Sequence, residues 1–142
     1  MRRFEPDDQE AARALILDGL AGHFGFLDET LNRDLDDIAT TFAEGAFFVA
    51  TIDGVIAGTG GLHVQADGTA NVVRMSTATE FRRRGIGRAV LLRMVEEARG
   101  RGCHRVTLAT AAQWDDAVGF YRACGFEEIP RTETGVVFEK RV

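Results

Sequence analysis

Apolar and polar positions change period several times along this chain, and each change marks an element. Ala46-Phe47-Phe48-Val49-Ala50-Thr51-Ile52 predicts a strand. Asp53-Gly54 follows as a two-residue hairpin turn, and Val55–Gln65 is the return strand. Gly58, Gly60 and Gly61 within it predict a bulge or a close backbone approach. Asp67-Gly68 turns the chain again into the strand Ala70–Thr77, so three antiparallel strands stand in succession. Upstream, Arg2–Glu5 is a short strand candidate. A helix begins near Asp7, with Glu10 completing a capping-box spacing, and runs to about Leu20. Gly19, Gly22 and Gly25 break it and leave His23-Phe24-Gly25-Phe26 as a loop, either lining a pocket or plugging the core. Leu31, Leu35, Ile38 and Phe42 recur at spacings of 4, 3 and 4, one face of a second helix, which Gly45 ends as a left-handed cap.

Downstream, Ile86, Val90, Leu91, Met94, Val95 and Ala98 form the apolar stripe of a helix from Ile86 to Arg99, closed by Gly100 and Gly102. Arg105–Ala109 is a strand. It is expected to lie parallel to Ala70–Thr77, because a strand–helix–strand unit crosses over that way. Asp115-Asp116 caps a further helix through Phe120 and Tyr121 to Cys124, and Gly125 ends it. Phe126–Pro130 and Val136–Arg141 close the chain as a hairpin.

The stretch Thr79–Ala89 joins a strand to a helix and is the most informative in the chain. Gly85 and Gly87 strip side chains from the turn, where backbone can approach a ligand closely. The first helical turn beyond it has unpaired N–H groups and a partial positive charge. Arg82, Arg83, Arg84 and Arg88 add positive charge around the same point. The combination suits a di-anion such as a pyrophosphate. A P-loop is excluded because no Gly-Lys pair exists. A dinucleotide fingerprint would need glycine where Val90 stands.

Composition narrows the class. With 142 residues, 45% apolar and 27% charged, the chain reads as one soluble globular domain spanning 1–142. It has no run long enough to span a membrane, and its first residues lack a signal-peptide core, so a cytoplasmic location is expected. Cys103 and Cys124 are too few and too far apart for a zinc motif and are read as reduced thiols, with no metal site expected. The net charge of −5 divides unevenly: residues 1–81 carry 14 acids and 5 bases, residues 82–142 carry 8 acids and 12 bases. So acidic a chain argues against nucleic acid as a partner. The basic second half suits a compact anion, and the acidic first half is either solubility charge or a lure for a cationic amine.

Arg82-x-x-Gly85-x-Gly87, followed by Ala117-x-x-Phe120-Tyr121-x-x-x-Gly125-Phe126, resembles the GNAT family of N-acetyltransferases. The order of predicted elements is similar to that fold over nearly the whole length. The resemblance implies an α+β, three-layer architecture with helices on both faces of a mixed, mostly antiparallel sheet, and a central parallel strand pair. It implies acetyl-CoA as acyl donor, with no metal, and an amine acceptor that is a small molecule, a peptide or a protein. It also implies that the amides of Arg83 to Arg88, with Arg82, Gly85, Ile86 and Gly87, hold the pyrophosphate. Met75, Ser76 and Thr77 would pair with the pantetheine arm and offer an N–H to the thioester carbonyl, in a gap splayed from Thr107–Ala109. Tyr121 would lie near the sulfur as general acid. Family members often dimerise, so a homodimer is an expected partner state.

Three positions depart from the family pattern. Trp114 replaces the asparagine that holds the pantetheine arm, so that bond is lost, or Gln113 supplies it, or Trp114 packs on the arm instead. Thr79 replaces a common proline. Asn71 replaces the base glutamate of the histone-acetylating branch and cannot take a proton. The base is then His63, His23 or a water, with Glu44 a weaker candidate and Asp28-Glu29 a candidate for recognising a cationic acceptor. The alternatives to an enzyme are a non-catalytic acyl-CoA-binding regulatory module of the same fold, or a nucleotide-phosphate binder of another.

Overall fold

The structure is a computed structural model, and it describes residues 1–24, 33–82, 84–110, 115–132 and 135–142. The elements run β1 (Arg2–Arg3), α1 (Gln9–Phe24), α2 (Ile38–Thr41), β2 (Ala46–Ile52), β3 (Val55–Val64), β4 (Thr69–Thr77), α3 (Ile86–Gly100), β5 (Arg105–Thr110), α4 (Asp115–Ala123), β6 (Glu127–Thr132) and β7 (Gly135–Arg141). Among the described residues, seven strands form one sheet in the order β1-β2-β3-β4-β5-β7-β6. All pairs are antiparallel except the central β4–β5 pair, which is parallel as the strand–helix–strand order predicts.

Phe47 and Phe48 show how one strand serves two cores. Successive side chains of a strand point to opposite faces. Phe47 packs with Ala12, Ile16, Leu17, Leu35, Ile38 and Phe42 on the α1–α2 face. Phe48 packs with Val90, Leu91, Met94 and Phe138 on the α3 face. The predicted α3 stripe is buried from Val90 to Ala98. Truncating any one of its large members to alanine would cost about 2–5 kcal/mol.

The glycines of β3 bring α3 down onto the sheet. A Cβ at Gly58 would stand 2.6 Å from Ile86 Cγ2, and one at Gly60 would stand 2.6 Å from both Val90 Cγ1 and Met94 Cε. Gly61 faces the other way, against Phe42. Both predicted meanings of these glycines hold, since the β3–β4 register also shifts between Thr59 and Gly61.

The first two helical segments differ from expectation. The capping box falls two residues early, on Glu5 and Asp8, opening a 3₁₀ turn at Pro6–Asp8. Arg2 explains the choice: its guanidinium holds the Asp8 carboxylate at 2.6 and 2.9 Å, and that carboxylate also accepts from the Glu5 N–H at 2.8 Å. Helix α1 continues through Gly19 and Gly22 to Phe24, so His23 and Phe24 belong to a helix rather than a loop. The second helix is cut short. Residues 33–35 form a 3₁₀ turn, and α2 is a single turn from Ile38, capped by Asp37, which accepts from the Thr40 N–H at 3.2 Å. Side chains compete here for backbone groups, as Thr41 Oγ1 donates to the Asp34 carbonyl at 2.7 Å. The apolar face survives the break, with Leu35, Ile38 and Phe42 all buried. Leu31 and the acidic pair Asp28-Glu29 lie outside the described residues.

Gly45 is not a left-handed cap, since its φ is not among the positive ones. Glycine is needed there for another reason: a Cβ would fall 1.9 Å from the Leu62 carbonyl oxygen. Cys103 and Cys124 are free thiols.

Candidate functional site

Strand β4 is irregular on both edges. Toward β3, Gly61 faces Val73 and Thr59 faces Ser76, leaving Gly60 alone against Arg74 and Met75. A two-against-one bulge of this kind bends the strand and increases its twist. Arg74 takes a left-handed conformation, φ 55°, which costs a residue with a Cβ about 1–2 kcal/mol. Two side chains hold it. Thr59 Oγ1 donates to the Arg74 carbonyl at 2.9 Å. The Arg74 guanidinium grips Asp34 in a fork, with Nε to Oδ2 at 2.8 Å and Nη2 to Oδ1 at 2.6 Å. None of these three residues stands out in the sequence for this role. The one available signal is an arginine set between Val72-Val73 and Met75 in a strand run.

Toward β5, the parallel pairs run from Thr69↔Arg105 to Val72↔Leu108 and then stop, although β4 continues to Thr77 and β5 to Thr110. The gap therefore opens at Ala109 rather than at Thr107. Thr107 is still paired, and its hydroxyl donates to Asn71 Oδ1 at 3.1 Å. Past that point, the β5-facing main chain of β4 has no strand partner among the described residues. An extended ligand can add there as a strand would.

Helix α4 closes the α3 side of this region. The Tyr121 hydroxyl lies 3.9 Å from the Met75 sulfur. The ring sits among Phe120, Phe126 and Phe138, with centroids at 5.2, 6.3 and 5.8 Å. Burial pushes the Tyr121 hydroxyl up to about 12, with a smaller contribution from Cys124. Burial also raises the Cys124 thiol, against the pull of Arg88 and Lys140. Tyr121 is thus a phenol that stays protonated at neutral pH beside the strand that leaves β5.

The start of α3 lies next to the same strand. Gly85 is its N-cap, in the left-handed region at φ 77°, and no side chain caps the helix. The Ala89 N–H bonds back to the Gly85 carbonyl at 3.0 Å, so the amides of Ile86, Gly87 and Arg88 precede the helical ladder. Gly87 stands between two elements: a Cβ there would be 3.6 Å from Thr77 Oγ1 and 3.5 Å from Phe120 Cζ. Arg82 ends a 3₁₀ turn at Thr79–Phe81, and Arg82, Arg84 and Arg88 are exposed. Arg84 lies over the Phe81 ring at 5.5 Å. Elsewhere, Arg2, Arg3, Arg74, Arg101, Arg105 and Arg122 are each paired with a carboxylate. Among the described residues no such pairing engages Arg82, Arg84 or Arg88.

The structure thus brings together Met75, Ser76, Thr77, Arg82, Arg84, Gly85, Ile86, Gly87, Arg88 and Tyr121. Arg83, Gln113 and Trp114 lie outside the described residues. His63 is not part of the group. It stacks on Phe42 at 4.6 Å and pairs across the sheet with Asn71. Asn71 lies four positions before Met75, about 13 Å by strand rise. His63 and Glu44 instead line an open cavity of about 300 Å³ with Thr40, Thr41, Ala43, Gly45 and Val64. His23 is placed on the last turn of α1.

A mixed sheet with a parallel central pair that splays beside a glycine-capped helix is the fold of GNAT acetyltransferases. A GNAT-family acetyltransferase from Staphylococcus aureus superposes with a TM-score of 0.89 at 20% identity, covering 99% of this chain and 96% of that one. The PaiA N-acetyltransferase of Thermoplasma acidophilum, solved in complex with coenzyme A, superposes with a TM-score of 0.86 at 17% identity, covering 99% and 97%. The sequence carries the family as well as the fold. Residues 11–126 match the acetyltransferase (GNAT) family, and this chain belongs to it. It is 33% identical over 116 residues to a Xenopus tropicalis protein named "Probable N-acetyltransferase camello", covering 78% of this chain and 53% of that one. The chain thus spans about half the length of the curated relatives it matches.

Proposed function

We propose that this chain transfers an acetyl group from acetyl-CoA directly to a primary amine. The observation that carries the reading is the meeting of Tyr121 with Met75 at the mouth of the β4–β5 gap. The exposed amides and arginines at the start of α3 supply a diphosphate cradle beside it. Several charge–dipole contacts of about 0.3–1 kcal/mol each converge there.

In this reading the amides of Ile86 to Arg88 hold the diphosphate, with Arg82 and Arg84 flanking it. The main chain of Met75–Thr77 bonds the pantetheine arm in the open gap and offers an N–H to the thioester carbonyl oxygen as negative charge develops there. The neutral amine nitrogen attacks the carbonyl carbon, the carbon–sulfur bond breaks, and Tyr121 gives its proton to the departing thiolate. A hydroxyl pushed up to about 12 arrives protonated for that task. The side chain of Asn71 cannot accept the proton lost by the amine and His63 stands at the wrong level of the sheet, so that proton leaves through water, which returns one to the Tyr121 oxygen.

Free thiol tests the proposal directly. Protein is mixed with acetyl-CoA and a panel of small amines, amino acids, polyamines and peptides, and CoA release is followed. Release that depends on one class of amine supports the transferase. Tight CoA binding without release from any of them would make the chain a regulatory acyl-CoA-binding module. Stabilisation by ATP but not by CoA would refute both readings.

A further inference from the structure

We propose that Asp34 is a positioning residue for acetyl transfer: by clamping Arg74 in its left-handed conformation, it aims the main chain of Met75–Thr77 at the thioester. The inference rests on the acetyl-transfer reading above and adds to it a residue from the far side of the sheet. Asp34 sits in the 3₁₀ turn before α2, and Tyr121 packs in the α3-side core. The two approach β4 from opposite faces.

The clamp has a local purpose. Arg74 holds φ 55° against its own Cβ, and a strained residue persists only where its surroundings over-determine it. Here a buried hydroxyl fixes its carbonyl and a two-bond fork fixes its guanidinium. Released, Arg74 would return to extended geometry and the bulge would close. A one-residue slip flips every later side chain to the other face. Met75 would then leave Tyr121, and the N–H groups of Met75–Thr77 would turn away from the gap. The Arg74 and Asp34 side chains remain 19% and 34% exposed, and their two-bond fork fixes one geometry for the pair. Its effect falls on the geometry of β4.

The test needs no acceptor. Acetyl-CoA labelled with carbon-13 at the carbonyl is bound to the full chain, and isotope-edited infrared spectra read the thioester stretch. In the wild type the band should fall below that of free acetyl-CoA, as a main-chain donor polarises the carbonyl. At saturating acetyl-CoA, Asp34→Asn should return the band most of the way to the free position, and CoA affinity should fall by more than about twofold (~0.4 kcal/mol) as the Met75–Thr77 bonds to the pantetheine arm are lost. Thr59→Val removes the other anchor and should move the band in the same direction. A band in folded, ligand-bound Asp34→Asn that coincides with the wild type overturns the proposal. So does a wild-type complex with an unshifted band, since no donor would be there to aim; neither result touches CoA binding or turnover. Failure of both variants to fold assigns the clamp to stability and also overturns it. Absence of any acetyl-CoA binding by the wild type removes the functional reading and this inference together.

Discussion

The Tyr121 hydroxyl points at the Met75 sulfur from 3.9 Å, linking α4 to the strand that has just parted from β5. If that hydroxyl protonates the thiolate, Tyr121→Phe should lower kcat by about 10²–10⁴-fold. Acetyl-CoA affinity should change little, because the aromatic contacts with Phe120, Phe126 and Phe138 remain. Steady-state kinetics against a calorimetric binding constant separates the two. Unchanged turnover would remove Tyr121 from the mechanism.

Tyr121 is the chain's only tyrosine, so tyrosinate absorbance reports on it alone. Its folded value lies near 12, above the ordinary value of about 10. The folded state therefore binds the proton more tightly than the unfolded state. The stability linked to this is complete below pH ~10 and is lost as pH rises through ~12. Denaturation midpoints should decline over that window, and the decline should be shallower in Tyr121→Phe. A titration midpoint near 10 in the folded protein would contradict the burial described above.

Gly85 and Gly87 are two residues apart and should fail differently. Gly85 sits at φ 77° with open space where a Cβ would stand, whereas a Cβ at Gly87 would meet ordinary contact distances of 3.5 and 3.6 Å. Gly85→Ala should therefore cost about 1–2 kcal/mol of stability through backbone strain, a loss of roughly 2–4 °C in Tm per kcal/mol. Gly87→Leu pushes a larger group between Thr77 and Phe120. It should weaken CoA binding tenfold or more (about 1.4 kcal/mol) with a smaller shift in Tm. Thermal melts and binding isotherms on both variants check the contrast.

Period and turn chemistry carried most of the fold into the sequence. The stripe from Val90 to Ala98, the Asp53-Gly54 hairpin and the parallel crossover are each local patterns or direct consequences of them. Asp53 and Gly54 indeed take φ of 51° and 80°. The misreadings come from contacts distant in sequence. Glu5 and Asp8, rather than Asp7 and Glu10, form the N-terminal capping box because Arg2 reaches Asp8 across a strand end. Gly45 needs its missing Cβ because of Leu62, a residue on another strand. The candidate diphosphate cradle and Tyr121 could be singled out because each lies in a short motif. The Asp34–Arg74 clamp was not, since 40 residues separate its members.

Acid should destabilise the N-terminal turn through Asp8. The hydrogen bond from Arg2 holds its carboxyl below the ordinary carboxylate value, against the opposing effect of burial. A depressed folded value means that the linked stability is present above the unfolded value of about 3.9 and is lost as pH falls through the folded one. Asp8→Asn should lower Tm at neutral pH and flatten its dependence on pH below about 4. Equal slopes in the two proteins would show that the Arg2 pair is not felt by folding.

Gly58 and Gly60 both face α3, yet their neighbours differ in consequence. A Cβ at Gly60 meets Val90 and Met94 in mid-helix, and one at Gly58 meets Ile86 Cγ2 at 2.6 Å, on the first helical residue. Val90 is β-branched and cannot turn aside as the Met94 terminus can. Gly60→Ala should therefore cost about 1–3 kcal/mol by overpacking, with Val90→Ala in the same chain recovering part of it. The double-mutant cycle should show favourable coupling of about 0.5 kcal/mol or more. Gly58→Ala acts on the end of α3 whose amides are proposed to hold the diphosphate. It should weaken CoA binding more than Gly60→Ala does for an equal loss of stability. Equal binding losses at equal stability would mean that α3 moves as a rigid rod and that its N-terminus is not separately set by β3.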